Sequence, residues 1–193
     1  MNFTNGGRRK TPHPDVFPGN EPIRSELFSI ERLEQHAQSL AEAQIVSTEP
    51  SGARALRIRL AQNEKALEDG YRKIAAATRE GRAIPPAAEW LLDNYHIVQE
   101  QMRQIRDDLP TKYYRRLPKL AGGHLKGYPR VFGIAWAVVA HTDSALDIPK
   151  LTAFVDAYQR VQPLTIGELW AIAITLRITL VENLRRMTEG MVL

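Results

Sequence analysis

Apolar residues recur along this chain in steps of three and four, and those steps mark out a succession of helices. Ser29 is a favourable cap, and Phe28 with Leu33 has the spacing of a hydrophobic staple, so a first helix starts there and runs to about Ile45. Ser47–Ser51 breaks it. A second helix runs from about Gly52 to Glu80 on the stripe Leu56, Leu60, Leu67, Tyr71 and Ile74, with Asn63 in the missing seam position and Gly81 as the stop. A third starts at Pro85 or Pro86, favoured first-turn residues, and follows Leu91, Tyr95, Val98, Met102, Ile105 and Leu109. Narrow seams and a short connection predict a long antiparallel hairpin of these two helices, projecting as a pair.

The texture changes at Pro110–Arg130, which reads as a loop with one short turn near Lys112–Arg116. Three compact helices follow. Arg130–His141 is apolar nearly all round and therefore central. Pro149–Val161 is amphipathic, with Asp147 as its cap. The last helix opens on the capping box Thr165/Glu168 and runs to about Glu189. No strand pattern competes anywhere, and no internal repeat is present. The predicted class is all-α, a long antiparallel helical hairpin followed by a compact three-helix part. Met1–Arg24, rich in Gly, Pro, Asn and charge, is expected to be a disordered tail, leaving residues 25–193 as the helical domain.

Helical periodicity also singles out one residue. On the last helix Arg177 falls among Ile166, Leu169, Trp170, Ala173, Leu176, Leu180 and Leu184, while Glu168, Thr175, Thr179, Glu182 and Arg186 take the opposite face. An Arg buried on an apolar face needs a carboxylate, because an unpaired guanidinium there is very costly. Glu89 and Asp93, flanking Trp90-Leu91-Leu92, are the expected partners. A structural ion pair and a ligand-binding Arg are the two readings of that position.

Charge adds a second candidate. The chain of 193 residues carries a net charge of +4, mildly basic and no pointer to nucleic acid by itself. Pro110–Arg130 concentrates Lys112, Arg115, Arg116, Lys119, Lys126 and Arg130 without a single acid. This segment is either a solvated connector that neutralises Asp107, Asp108 and neighbouring acids, or a contact surface for phosphate or lipid headgroups. It has no nucleic-acid motif.

Other chemistry is thinly represented. There is no cysteine, hence no disulfide framework and no thiolate zinc site. The histidines lack metal-ligand spacing, His141 and Asp143 read as a helix end, and Gly122-Gly123 lacks the context of a phosphate loop. No catalytic, cofactor-binding or metal-binding residue is expected, and no cofactor. No run reaches the roughly 20 apolar residues of a spanning helix, and Arg8, Arg9 and Lys10 are not followed by the apolar core of a secretory signal. The chain taken alone is expected to be soluble and cytoplasmic.

Several strings resemble, in order, the N-terminal region of cyclic β-1,2-glucan synthases. They are Pro85–His96, Ile105–Leu120 with its Asp-Leu-Pro and Tyr-Tyr-Arg-Arg-Leu-Pro-Lys-Leu, Gly127–Trp136, Ala140–Asp143, and Tyr158–Leu184 with Val-Gln-Pro-Leu-Thr-Ile-Gly-Glu-Leu-Trp-Ala. The resemblance implies a parent enzyme of the inner membrane that polymerises glucose from UDP-glucose and cyclises the product. It implies a place on the cytoplasmic face, and the transferase and membrane modules of that synthase as partners. The chain shows none of the aspartate and Gln-x-x-Arg-Trp motifs of processive glycosyltransferases, so no activity is expected of it alone. The apolar faces of Arg130–His141 and Thr165–Met187 are expected to be covered by the rest of the synthase, or by a second copy in a homodimer. The basic loop is expected to face an anionic membrane surface or acidic groups of the transferase module. The other class of reading is a free-standing helical adaptor or a carbohydrate-binding module without enzyme activity.

Overall fold

A computed structural model describes residues 20–47 and 56–192. The described residues form α1 (Ile30–Ala43), α2 (Leu56–Arg79), α3 (Pro86–Asp108), α4 (Thr111–Arg116), α5 (Arg130–Thr142), α6 (Ile148–Gln159) and α7 (Ile166–Val192), with two-residue strands β1 (Val46–Ser47) and β2 (Lys119–Leu120). The molecule is all-α. The strand pair is a departure from the strand-free expectation: Val46 faces Leu120 and Ser47 faces Lys119 in antiparallel register. Two residues are too few to show a period of two, so no sequence pattern announces them.

The caps form as their chemistry dictates. The Ser29 hydroxyl accepts from the Arg32 N–H at 3.4 Å, and Asp147 accepts from the Lys150 N–H at 2.7 Å. The Thr165/Glu168 box is reciprocal: Thr165 Oγ1 accepts from the Glu168 N–H at 3.2 Å, and Glu168 Oε2 accepts from the Thr165 N–H at 2.9 Å. α5 ends on Asp143 in a left-handed conformation (φ 52°) that closes the last turn onto Val139.

The narrow seam of α3 is buried as read, and so is that of α2 except for Tyr71, which is half-buried and stacks on Tyr95. Leu91, Tyr95, Val98, Met102, Ile105 and Leu109 are all in the core, as are Leu56, Leu60, Asn63, Leu67 and Ile74. The hairpin does not project, however. α7 lies along it, against both α2 and α3, and α5 packs on α7 as well. Gly70 of α2 makes that approach possible, since a Cβ there would stand 2.5 Å from Thr188 Cγ2. α6 is drawn away from its sequence neighbours and packs on α1 instead. The last three helices are thus shared between two layers rather than closed on themselves. α5, buried on every residue from Arg130 to Thr142, is the central rod.

Residues 20–24 correct the boundary expected at Arg24. Ile23 is completely buried, its N–H donates to Asn183 Oδ1 at 2.6 Å, and Arg24 pairs with Asp143 at 2.6 Å. One buried isoleucine among polar neighbours is too weak a signal to separate from a tail. The rest of the expected tail, residues 1–19, lies outside the described residues, as do residues 52–55 at the expected start of the second helix. Phe28, expected to staple the start of α1, stacks on His141 with ring centroids 3.9 Å apart. His141 Nδ1 is 2.8 Å from the Glu26 carbonyl oxygen, so this histidine docks the incoming strap.

Candidate functional site

The last helix sits the other way round from its wheel. Glu168, Thr175, Thr179, Glu182 and Arg186 are buried, whereas Ile166, Leu169, Trp170 and Ala173 are exposed and Arg177, Leu180 and Leu184 half-buried. Leu176 alone of the expected inward set is fully in the core. The threonines satisfy themselves within the helix: Thr175 Oγ1 donates to the Ala171 carbonyl at 2.9 Å and Thr179 Oγ1 to the Thr175 carbonyl at 2.8 Å. Two carboxylates, Glu168 and Glu182, are buried as well, and each takes an arginine from another element, Arg130 of α5 and Arg59 of α2, with Arg185 and Arg186 of α7 itself added around Glu182.

Around Glu168 the pairing is one to one and closed. Arg130, at the first turn of α5, donates Nε to Glu168 Oε1 at 2.6 Å and Nη2 to Oε2 at 2.8 Å, the bidentate fork that suits a carboxylate. The same guanidinium reaches Gln162 Oε1 at 2.9 Å and the Pro163 carbonyl at 2.8 Å. Gln162 in turn donates to the carbonyls of Ala41 and Gln44, and Tyr158 donates to Gln44 Oε1 at 2.7 Å. Burial pushes the Tyr158 phenol up to about 12, so it remains a donor throughout the ordinary pH range. Gly133 leaves room for this arrangement, since a Cβ there would meet Gln44 Nε2 at 2.8 Å. One network therefore ties α1, α5, α6 and the start of α7 together.

Around Glu182 the ratio differs. Oε1 accepts from Arg59 Nη2 at 2.9 Å, Arg186 Nε at 3.0 Å and Arg185 Nη2 at 3.3 Å; Oε2 accepts from Arg59 Nε at 3.0 Å and Asn63 Nδ2 at 2.8 Å. Asn63, the polar residue in the α2 seam, is thus the acceptor's neighbour rather than a packing defect. Burial alone would raise the Glu182 carboxyl, but the charge and hydrogen bonds of Arg59, with Asn63 and Arg186, outweigh it and hold it at about 2. Arg186 reaches back to the Glu21 carbonyl at 2.8 Å, and its guanidinium lies 5.0 Å from the Trp136 ring centre. Arg59 also lies over the Tyr128, Phe132 and Trp136 rings.

Arg177 is corrected on both counts. It is half-buried rather than buried, and its partner is Asp108 at the end of α3, Nη2 to Oδ2 at 2.6 Å. Glu89 and Asp93 are exposed on α3 and take no part. The error follows from reading the apolar stripe of α7 as its inward side. The basic segment is corrected in part. Lys112, Arg115, Arg116 and Lys126 are exposed, but Arg130 is the buried partner of Glu168. Lys119 is buried too, its Nζ donating to the Tyr114 carbonyl at 2.7 Å and the Leu117 carbonyl at 2.5 Å. Burial lowers its ammonium to about 8. Tyr113 of α4 hydrogen-bonds the Gly167 carbonyl through its hydroxyl, setting the α4 cations beside the exposed start of α7.

Sequence reasoning set Glu182 on the face away from the apolar stripe and passed over Arg59 and Arg185. A signal was available: Glu182, Arg185, Arg186 and Glu189 recur at helical spacing, and Asn63 interrupts a facing seam. Among the described residues, no group of three or more His, Asp or Glu side chains is placed to hold a metal ion. No described helix is long and apolar enough to cross a membrane.

No family model matches the chain. It is 40% identical over 187 residues to the cyclic beta-(1,2)-glucan synthase NdvB of Rhizobium meliloti (strain 1021), a match covering 97% of this chain and 7% of the relative. The resemblance carried by the ordered strings therefore extends over nearly the whole chain, and the chain corresponds to a small part of such a synthase.

Proposed function

We propose that this chain is a non-catalytic N-terminal helical module of a cyclic β-1,2-glucan synthase, and that the outward stripe of α7 is where the remainder of that synthase docks. The observation that carries the reading is the inversion of α7. Ile166 is 72% exposed and Trp170 74% exposed on a helix whose carboxylates are inside. Large side chains presented together in this way mark a surface awaiting a partner. The relative is far longer than this chain, so the length of protein available to cover the stripe is ample. Both buried carboxylates are saturated by guanidinium donors, which suits a scaffold and leaves neither as a free acid or base.

The parent would polymerise and cyclise glucose drawn from UDP-glucose at the cytoplasmic face of the bacterial inner membrane. Lys112, Arg115 and Arg116, exposed beside the start of α7, would supply the positive charge to meet anionic lipid headgroups there. The test pairs Ile166→Glu with Trp170→Glu in the intact synthase. Expected is loss of glucan output and of co-purification of the module with the separately expressed remainder, with the thermal stability of the isolated module unchanged. Retained co-purification, or turnover of UDP-glucose by the isolated chain with divalent metal, overturns the reading.

A further inference from the structure

The Glu182 cluster opens on its outer side into a groove of about 380 Å³ between α2 and α7, lined by Arg59, Gln62, Asn63, Ala66, Arg185 and Arg186 together with the carboxylates Glu182 and Glu189. Its charges do not balance among the described residues. Three guanidinium groups, with side chains 20%, 12% and 5% exposed for Arg59, Arg185 and Arg186, face two carboxylates. Glu182 already accepts from five donors, and Glu189 is engaged by Arg185 Nη1 at 2.6 Å. Arg185 Nε is buried and finds no acceptor among the described residues. A buried donor without an acceptor is costly, and a surplus cation in a half-buried cluster is costly as well.

From the groove and the unmatched guanidinium charge, we infer that this is a binding site for a small oxyanion, a phosphate or carboxylate group, held by Arg185 with Arg59 and Arg186. Planar guanidinium groups offer paired N–H donors that fit either group in bidentate fashion. Burial depresses the Arg186 guanidinium; Glu182 pulls it back up, and the neighbouring Arg185 and Arg59 lower it further, an effect that an added anion counters. The site is separate from the α7 docking stripe, which lies on the opposite face of that helix. Two sources supply the chemistry: a free phosphate-bearing small molecule, or an acidic side chain from elsewhere in the synthase.

The experiment titrates inorganic pyrophosphate into the purified chain by calorimetry at fixed ionic strength, with acetate as competitor. Saturable single-site binding is expected. Gln62→Glu, which places a carboxylate at the groove, should weaken pyrophosphate binding at least about tenfold and raise the melting temperature without ligand. Lys112→Gln, on the distant basic segment, should leave the affinity unchanged. Displacement by millimolar acetate assigns the site to a carboxylate occupant, and resistance to acetate assigns it to a phosphate. Absence of saturable binding, or an affinity that Gln62→Glu does not touch and Lys112→Gln lowers, overturns the inference.

Discussion

Two glutamates on one helix are buried by the same fold and put to different use. Glu168 meets one arginine, and the remaining donors of that arginine end on Gln162 and the Pro163 carbonyl, so charge and hydrogen bonding close inside the protein. Glu182 meets three arginines, and the excess looks out through a groove. The first is a staple between layers. The second is a staple with spare capacity. The count of cations around a buried carboxylate, and whether water reaches them, separates the two better than depth does.

Removing each carboxylate breaks the comparison most directly. Glu168→Ala should cost roughly 3–5 kcal/mol in chemical denaturation, because Arg130 is left charged in a site closed to solvent and a helix cap is lost with it. Glu182→Ala should cost about 3 kcal/mol, the low end of the same range, since the groove lets water and anions reach the stranded arginines. Added phosphate should restore part of the loss in the second variant and none in the first. Equal rescue of both would erase the distinction.

A smaller effect follows from pH. The Glu182 carboxyl is held at about 2, below its ordinary value. A depressed carboxylate contributes stability that is complete above its unfolded pKa and is lost as pH falls through the folded one. Urea midpoints should therefore fall between pH 5 and pH 3, with about 2 kcal/mol of the Glu182 contribution gone at pH 3. In Glu182→Ala that part of the pH dependence should vanish. An unchanged acid limb in the variant would place the titration elsewhere.

The smallest effect belongs to Arg177, whose pair with Asp108 is 29% and 48% exposed at the side chains. Arg177→Ala should cost less than about 1 kcal/mol in the same denaturation series. A loss of several kcal/mol would mean that this pair is as enclosed as the other two.

Much of the molecule was legible as pattern. The seam of α3, the stop at Gly81, the capping box at Thr165 and the all-round apolarity of α5 depend on local spacing and local hydrogen bonds, and each stands where the chain puts it. The site was not legible in that way. α7 is apolar enough on two sides that its wheel has no decisive inward face. An average of side-chain polarity then chooses the wrong one, and it took Arg177 and the α3 carboxylates with it.

Sequence by itself determined which segments are helical, where they are capped and that the class is all-α, because those properties are settled within a few residues of the chain. Only the tertiary structure decided which side of α7 goes in. Arginines at positions 59 and 130, far from the helix in sequence, arrive to neutralise Glu182 and Glu168, and a paired charge can be buried where an unpaired one cannot. With those partners in place the threonines and glutamates fill the interior, and Ile166 and Trp170 are left on the outside.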